Sequence, residues 1–341
     1  MESLIIALFM AIFRELWVKG KIAIKDIRQF LEIREYILSS QYLVNFITRC
    51  CYFRVFENDD TLRYPINLYL IFVEVRLLSN YPIMSLIALP VPANLDEQMI
   101  LPVNPVTNLD FIEAANQIQY LIINGKKGAG KSSSLKLIFK ECLMGREGSY
   151  IHELIPVLIN ADRFISPDIN LLNLIEAEFL IANFPYAHEF TEEALNKGKL
   201  LIIIDGIDQI PEQENNINIK RQAITHIHDF IHMYRNNRFI LSSCTQNRHI
   251  YNNRFSHFTE MQLADWNNYQ IFSFIQNWSV INYWPVGAAE NLWILLQEST
   301  NSQAQELFRI PLYLTLICIK YQSLHPPFAN NRNFLNDLEF S

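Results

Sequence analysis

Two short runs of this chain carry residues whose types and spacing suit chemistry. The first, Gly125-Lys-Lys-Gly-Ala-Gly-Lys-Ser132, places four residues between Gly125 and the trio Gly130, Lys131 and Ser132, the Walker A spacing of a loop that wraps phosphate groups. Glycines let such a backbone turn with its amides facing inward, so the run from Gly125 through Lys126, Lys127, Gly128, Ala129, Gly130, Lys131, Ser132 and Ser133 is a candidate nest of N–H donors. The helix that follows adds the partial positive charge of its N-terminus. Lys131 is expected to reach the β and γ phosphates of a nucleotide. The Ser132 hydroxyl is the expected ligand of Mg²⁺, a small hard cation that takes few protein oxygens and keeps several waters.

The second run, Lys199-Leu-Leu-Ile-Ile-Ile-Asp205-Gly-Ile-Asp208-Gln209, is an apolar stretch ending in acid. As a buried strand it delivers Asp205 to the carboxyl edge of a sheet, where open α/β sheets bind ligands. Asp205 is then the second protein group for Mg²⁺, through water, and Asp208 joins Lys131 and Asp205 as a candidate catalytic residue. Asp-Gly is also a hairpin dipeptide, but no second alternating strand follows Asp208.

The elements that position these residues are legible around them. Residues 120–124, 155–160, 200–204 and 238–242 are brief runs rich in Ile, Leu or Val, the pattern of strands buried on both faces of a parallel sheet. Between them, residues 131–143 place Leu135, Ile138, Phe139, Cys142 and Leu143 on one helical face, and residues 223–234 read as a second amphipathic helix. Residues 255–325 read as helices only. The predicted fold is therefore α/β: a three-layer P-loop fold with a parallel sheet over 115–255, a small all-α subdomain over 256–341, a mainly helical N-terminal region over 1–95, and a proline-containing linker over 96–114.

Composition narrows the partners. A formal net charge of -7 without a run of Lys or Arg gives no footprint for a nucleic-acid backbone. Five cysteines without a C-x-x-C spacing point to a reducing, cytoplasmic setting. Residues 4–13 are apolar but cover only half of the roughly 20 residues that span a bilayer, and Arg14 and Glu15 close the run. They read as a buried helix, with an interfacial membrane helix as the alternative.

Other patterns are set aside. His228 and His232 stand four apart on one helical face, but only two ligands of a closed zinc site are evident, and a solvated face is the better reading. Trp266, Trp278 and Trp293 scatter as core residues do, not as a base-stacking platform. Asn196-Lys-Gly-Lys199 lacks the acid that would read a guanine edge, which favours ATP over GTP. No nucleophile-elbow motif supports side-chain hydrolase chemistry.

With both runs in hand, the chain resembles the NACHT group of signal-transducing NTPases within the AAA+-like P-loop class. The likeness continues through Leu154-Ile-Pro-Val-Leu-Ile-Asn160, through Arg238-Phe-Ile-Leu-Ser-Ser243 where the family has its sensor strand, and through Met261 to Ile275 at the start of its helical subdomain. It ends in Ile310-Pro311-Leu-Tyr-Leu-Thr-Leu-Ile-Cys318, similar to the helix whose leading proline packs near the adenine. The resemblance implies a switch between ADP and ATP states, self-association on activation by an unidentified ligand or protein, and a role in signalling or defence. Three departures accompany it. Gln209 stands where the family usually has Glu and cannot take a proton from water, so hydrolysis is expected to be slow. Cys244 follows Ser242 and Ser243 where an Arg is common, with Arg248 the candidate replacement. The chain given continues for only 30 residues past Pro311. A catalytically inactive nucleotide-binding scaffold for protein–protein interaction is the alternative function; a metabolic kinase, lacking an acceptor site and lid, fits worst.

Overall fold

A computed structural model of the chain describes residues 45, 52–53, 66–79, 107–145, 148–166, 169–211, 218–245, 254–299 and 301–323. Residues 4–13 and Arg248 lie outside them. β1 (Tyr52–Phe53) and β2 (Ile66–Asn67) form a short antiparallel ladder, followed by α1 (Leu68–Ile71) and β3 (Arg76–Ser79). The chain then runs through β4 (Thr107–Asp110), α2 (Phe111–Gln117), β5 (Tyr120–Gly125), α3 (Lys131–Leu143), β6 (Ile155–Asn160), α4 (Leu171–Ile181) and α5 (Ala187–Asn196). It continues with β7 (Leu200–Asp205), α6 (Asn218–Met233), β8 (Arg238–Cys244), β9 (Thr259–Leu263), α7 (Asn268–Ile281), α8 (Ala288–Glu298), α9 (Ser302–Phe308) and α10 (Pro311–Ser323).

Seven strands form one sheet in the order β4-β3-β9-β5-β8-β7-β6. From β9 to β6 all neighbours are parallel, while β3 pairs antiparallel with both β4 and β9. β5, β7 and β8 are buried along nearly their whole lengths, so both faces of the central sheet are covered, as their unbroken apolar runs require. β8 lies between β5 and β7, and the chain passes from β8 to β9 on the other side of β5. The connections thus diverge at the carboxyl end of β5, which opens a crevice there.

The four predicted strands and the helix over 131–143 form as expected, each within a residue or two of its expected ends. The sheet is nevertheless wider than the sequence predicts, and its edge is mixed, not parallel. Residues 76–79 of the predicted N-terminal region, 107–110 of the predicted linker and 259–263 of the predicted all-helical region each supply a strand. These strands are four or five residues long, and Thr-Glu-Met-Gln-Leu has only Met261 and Leu263 buried. So short an alternation is ambiguous without its partners.

Polar side chains fix the amino edge of the sheet. Buried Asn237 accepts from Leu200 N at 3.0 Å and donates to Leu195 O and Tyr234 O at 2.9 Å each. Arg238 donates to Ala115 O, Asn116 O and Ile118 O, satisfying carbonyls at the end of α2.

A second core gathers α7 to α10 around Trp278, Leu292, Leu314 and Ile317, all fully buried. Ile71 and Val73 belong to it while Val75 belongs to the first, so the segment leading into β3 is shared between the two cores. α7 starts with a capping box in which Asn267 and Gln270 bond each other's backbone N–H. Gln270 also donates to Glu74 O at 2.6 Å, tying that helix to the shared segment.

Candidate functional site

The carboxyl end of β5 turns into the glycine-rich loop, and α3 begins at Lys131. Gly130, at φ 94°, precedes the helix and no side chain caps it. The amides of Lys131, Ser132 and Ser133 come before the first helical bond, from Ser134 N to Gly130 O at 2.9 Å. A helix start without a side-chain cap is suited to an anionic ligand. Lys131 donates to Gly125 O and Lys126 O at 2.8 and 2.9 Å. Burial pulls its pKa below the ordinary lysine value, and the nearby Cys244, Asp208 and Asp205 oppose that shift. Gly128 has no room for a side chain: its φ is +80°, and a Cβ there would stand 2.8 Å from Leu312 Cβ.

Across the crevice β7 ends at Asp205. Ser242 on the neighbouring β8 donates to Asp205 Oδ1 at 2.5 Å and accepts from Gly206 N at 2.8 Å. Its fully buried hydroxyl thus orients the carboxylate and satisfies a backbone donor together. Gly206 takes φ +76°, and Gln209 folds back over it, 2.8 Å from where a Cβ would be. Asp208 accepts from Cys244 N at 3.0 Å, and its carbonyl accepts from Lys220 Nζ at 3.0 Å.

These groups share one cavity of about 690 Å³. Lys127, Gly128, Gly130, Lys131, Ser132, Ser133, Asp205, Asp208 and Pro311 line it, while Gly125, Lys126 and Ala129 complete the loop behind them. Leu312 N donates to Gly128 O at 3.2 Å, so α10 starts directly against the loop. Ser132, Asp205 and Asp208 bring hard oxygens to the same space, a donor set that suits Mg²⁺ completed by phosphate and water. Among the described residues no group of three His, Cys, Asp or Glu forms a cage for a metal by itself.

The sequence reading missed several cavity residues. Ile71, Phe72, Val73 and Val75 come from the shared N-terminal segment, and Trp266 and Phe274 from the helical core. Pairing of β3 with β9, the bond from Gln270 to Glu74 O and packing of Ile71 and Val73 in the helical core bring them there, so no local pattern announces them. Ser242 stood in an expected strand, and its polarity amid Phe239, Ile240 and Leu241 was the available signal. Lys126, exposed, pairs with Asp265 at 2.7 Å on the way into α7. The residues set aside lie elsewhere: Asn196 to Lys199 precede β7 at the edge opposite Asp205. Trp266 and Trp278 are buried in the second core, as expected, although Trp266 also forms part of the cavity wall. Cys142, Cys244 and Cys318 are free thiols. Among the described residues no helix is long and apolar enough to cross a membrane.

The NACHT domain family model matches residues 119–280, from the residue before β5 into α7. No curated protein sequence matches the chain. Among solved structures it is similar to the Escherichia coli MS115-1 HORMA:CdnC:Trip13 complex, at 14% identity over 64% of this chain and 72% of that one, with a TM-score of 0.41. It is also similar to domain III of the replication initiation protein DnaA from Thermotoga maritima, at 14% identity over 62% and 80%, TM-score 0.38. AMPPCP-bound DnaA from Aquifex aeolicus matches at 16% identity over 57% and 56%, TM-score 0.32.

Proposed function

We propose that this chain, a P-loop NTPase whose residues 119–280 match the NACHT domain family model, is a nucleotide-operated switch that binds ATP or ADP with Mg²⁺ and turns ATP over slowly. The observation that carries the reading is the shared cavity. It joins Lys131 and the loop amides, the carboxylates of Asp205 and Asp208, and an apolar end made by Ile71, Phe72, Val73, Trp266, Phe274 and Pro311. Charge and apolar surface are arranged as a nucleotide needs them, with phosphates toward the loop and the base toward the apolar wall.

Ser132 and Asp205 would hold Mg²⁺, which when bound supplies charge neutralisation across the β and γ phosphates. Lys131 carries its charge to the same phosphates. The backbone N–H groups of the loop fix their position, and Asp208 is the remaining acid available to orient a water. Gln209, exposed and folded over Gly206, has no proton-accepting carboxylate to add. Slow hydrolysis suits a switch, because the lifetime of the bound state then sets the signal. Pro311 and Leu312 packed on the loop offer a route from nucleotide to helical core, and self-association in the ATP state would follow if that contact opens.

A nucleotide-locked scaffold is the second reading, favoured by Gln209 and by Cys244 in place of an arginine. Titration with fluorescent ATP and ADP analogues, with and without Mg²⁺, separates the two when phosphate release is followed in the same samples. Binding that Lys131→Ala abolishes, with measurable release, supports the switch. Binding of the same strength without release supports the scaffold, and failure to bind either nucleotide overturns both.

A further inference from the structure

A buried cation stands beside the acidic end of β7. Lys220, in the first turn of α6, is only 9% exposed. Its Nζ donates to Asp208 O at 3.0 Å, so α6 reaches the turn Ile207–Gln209 that follows β7. Asp208 lines the cavity, and Lys220 meets it from outside that lining.

Two physical terms oppose this placement. A cation in the first turn of a helix faces the positive end of the helix dipole. Burial also strips an ammonium of its hydration, which is why lysine is almost never fully buried without partners. Stability alone would favour an apolar side chain here, like Ile219, Ala223 and Ile224, which are buried on the same helix. The position breaks two local rules at once, and the group it touches belongs to the site. Such conflicts are expected where function sets the residue.

Asp208 is held from two sides. Its Oδ1 accepts from Cys244 N at 3.0 Å at the end of β8, and its carbonyl accepts from Lys220. Within the turn, Gln209 N donates to Gly206 O at 2.7 Å. We propose that Lys220 is a positioning residue for Asp208: it fixes the backbone of the acidic turn, so that the carboxylate stays at the phosphate end of the cavity. The inference rests on the slow-turnover reading, in which Asp208 orients the attacking water, and adds α6 to the elements on which turnover depends. Asp205 is held separately, by the Ser242 hydroxyl. Loss of Lys220 therefore leaves the Mg²⁺ ligand in place and acts on rate, not on nucleotide affinity.

The test is single-turnover phosphate release from Mg²⁺-ATP by an excess of the full chain, measured beside ATP affinity for wild type, Lys220→Met and Lys220→Arg. Lys220→Met keeps an unbranched side chain and removes the charge and the donor. It should slow release at least about tenfold, toward the roughly hundredfold that an ångström of misplacement costs, without a comparable loss of ATP affinity. Lys220→Arg, which keeps a charged N–H donor, should recover part of the rate. Urea unfolding separates positioning from stability, because removal of a buried charge should leave the midpoint of Lys220→Met at or above that of wild type. Four results overturn the inference and leave the switch reading intact: wild-type release in Lys220→Met, a loss confined to affinity, a lowered midpoint with wild-type release per folded molecule, or failure of that variant to fold. A wild-type chain that binds ATP and releases no phosphate overturns the slow-turnover reading, and the inference with it.

Discussion

Ser242 and Ser243 offer a controlled experiment on how the acid of the site is held. Both are fully buried on β8, and Ala in place of either removes one oxygen. Their partners differ. Ser242 donates to Asp205 at 2.5 Å and accepts from Gly206 N at 2.8 Å, whereas among the described residues the Ser243 hydroxyl has only a 3.4 Å contact to Cys244 O. A hydrogen bond to a charged group contributes about 1.5–3 kcal/mol, and a buried N–H left unpaired costs about 1–3 kcal/mol. Because the two losses are coupled through one hydroxyl, Ser242→Ala is expected to destabilise the sheet domain by about 3 kcal/mol. Ser243→Ala should cost less than about 1 kcal/mol, the worth of a poor neutral bond. Urea unfolding followed by far-ultraviolet circular dichroism measures both. ATP titration gives a second reading: an Asp205 freed to turn should lose Mg²⁺-dependent affinity while Mg²⁺-free binding through Lys131 persists. Equal destabilisation by the two variants, or equal loss of affinity with and without Mg²⁺, would refute the assignment of Ser242 to positioning.

Gln209→Glu should raise the rate of phosphate release by about a hundredfold, the low side of general-base effects; unchanged turnover, with Asp208→Ala eliminating it, would put the base at Asp208. Gly128→Ala places a side chain at φ +80°, about 1–2 kcal/mol of backbone strain, and drives a Cβ to 2.8 Å from Leu312, an overpacking cost of about 1–3 kcal/mol. The expected loss, about 2–5 kcal/mol by urea unfolding, comes with weakened nucleotide binding; wild-type stability in this variant would show that α10 does not bear on the loop. Lys131→Met tests the effect of burial on the lysine. With the folded pKa below the ordinary 10.5, the unfolded chain binds more protons in the window between the two values. The unfolding free energy of the unmodified protein should therefore rise there relative to Lys131→Met as pH increases. Urea midpoints of both proteins from pH 7 to the alkaline limit measure the difference, and a constant difference would contradict the shift.

The phosphate side of the site was legible because its signals are local. A glycine spacing, an apolar strand before it and an amphipathic helix after it occur within one stretch of chain, and the acid at the end of β7 reads the same way. The apolar wall is different. Phe72 and Val73 reach the cavity through distant contacts: β3, four residues long, pairs antiparallel with β9, Gln270 holds Glu74 O, and Val73 packs in the helical core. Residues 71 and 266 are almost 200 positions apart, and nothing in the neighbourhood of either shows the other. The expectation for Pro311 needed family resemblance, since a proline at the first turn of a helix is common for conformational reasons alone.

The division between legible and hidden residues follows the division between the two cores only in part, since Phe72, Val75 and Ser242 stand on the sheet core. The phosphate loop and both acids stand on the sheet core, whereas Ile71, Val73, Trp266 and Phe274 belong to the helical one. A ligand that fills the cavity touches both, and the direct links between loop and helices are few: Lys126 to Asp265, Gly128 to Leu312, and Pro311 beside Gly130. The first is an exposed ion pair worth at most about 1 kcal/mol. Any ligand that prefers the docked arrangement therefore stabilises it by linkage, about 2.7 kcal/mol at one hundred times its dissociation constant, more than that ion pair supplies. On the proposed reading, a nucleotide occupying this cavity would control the contact between the cores, and a change at its phosphates would be delivered first to Gly128 and Lys126, the loop residues that the helical core grips.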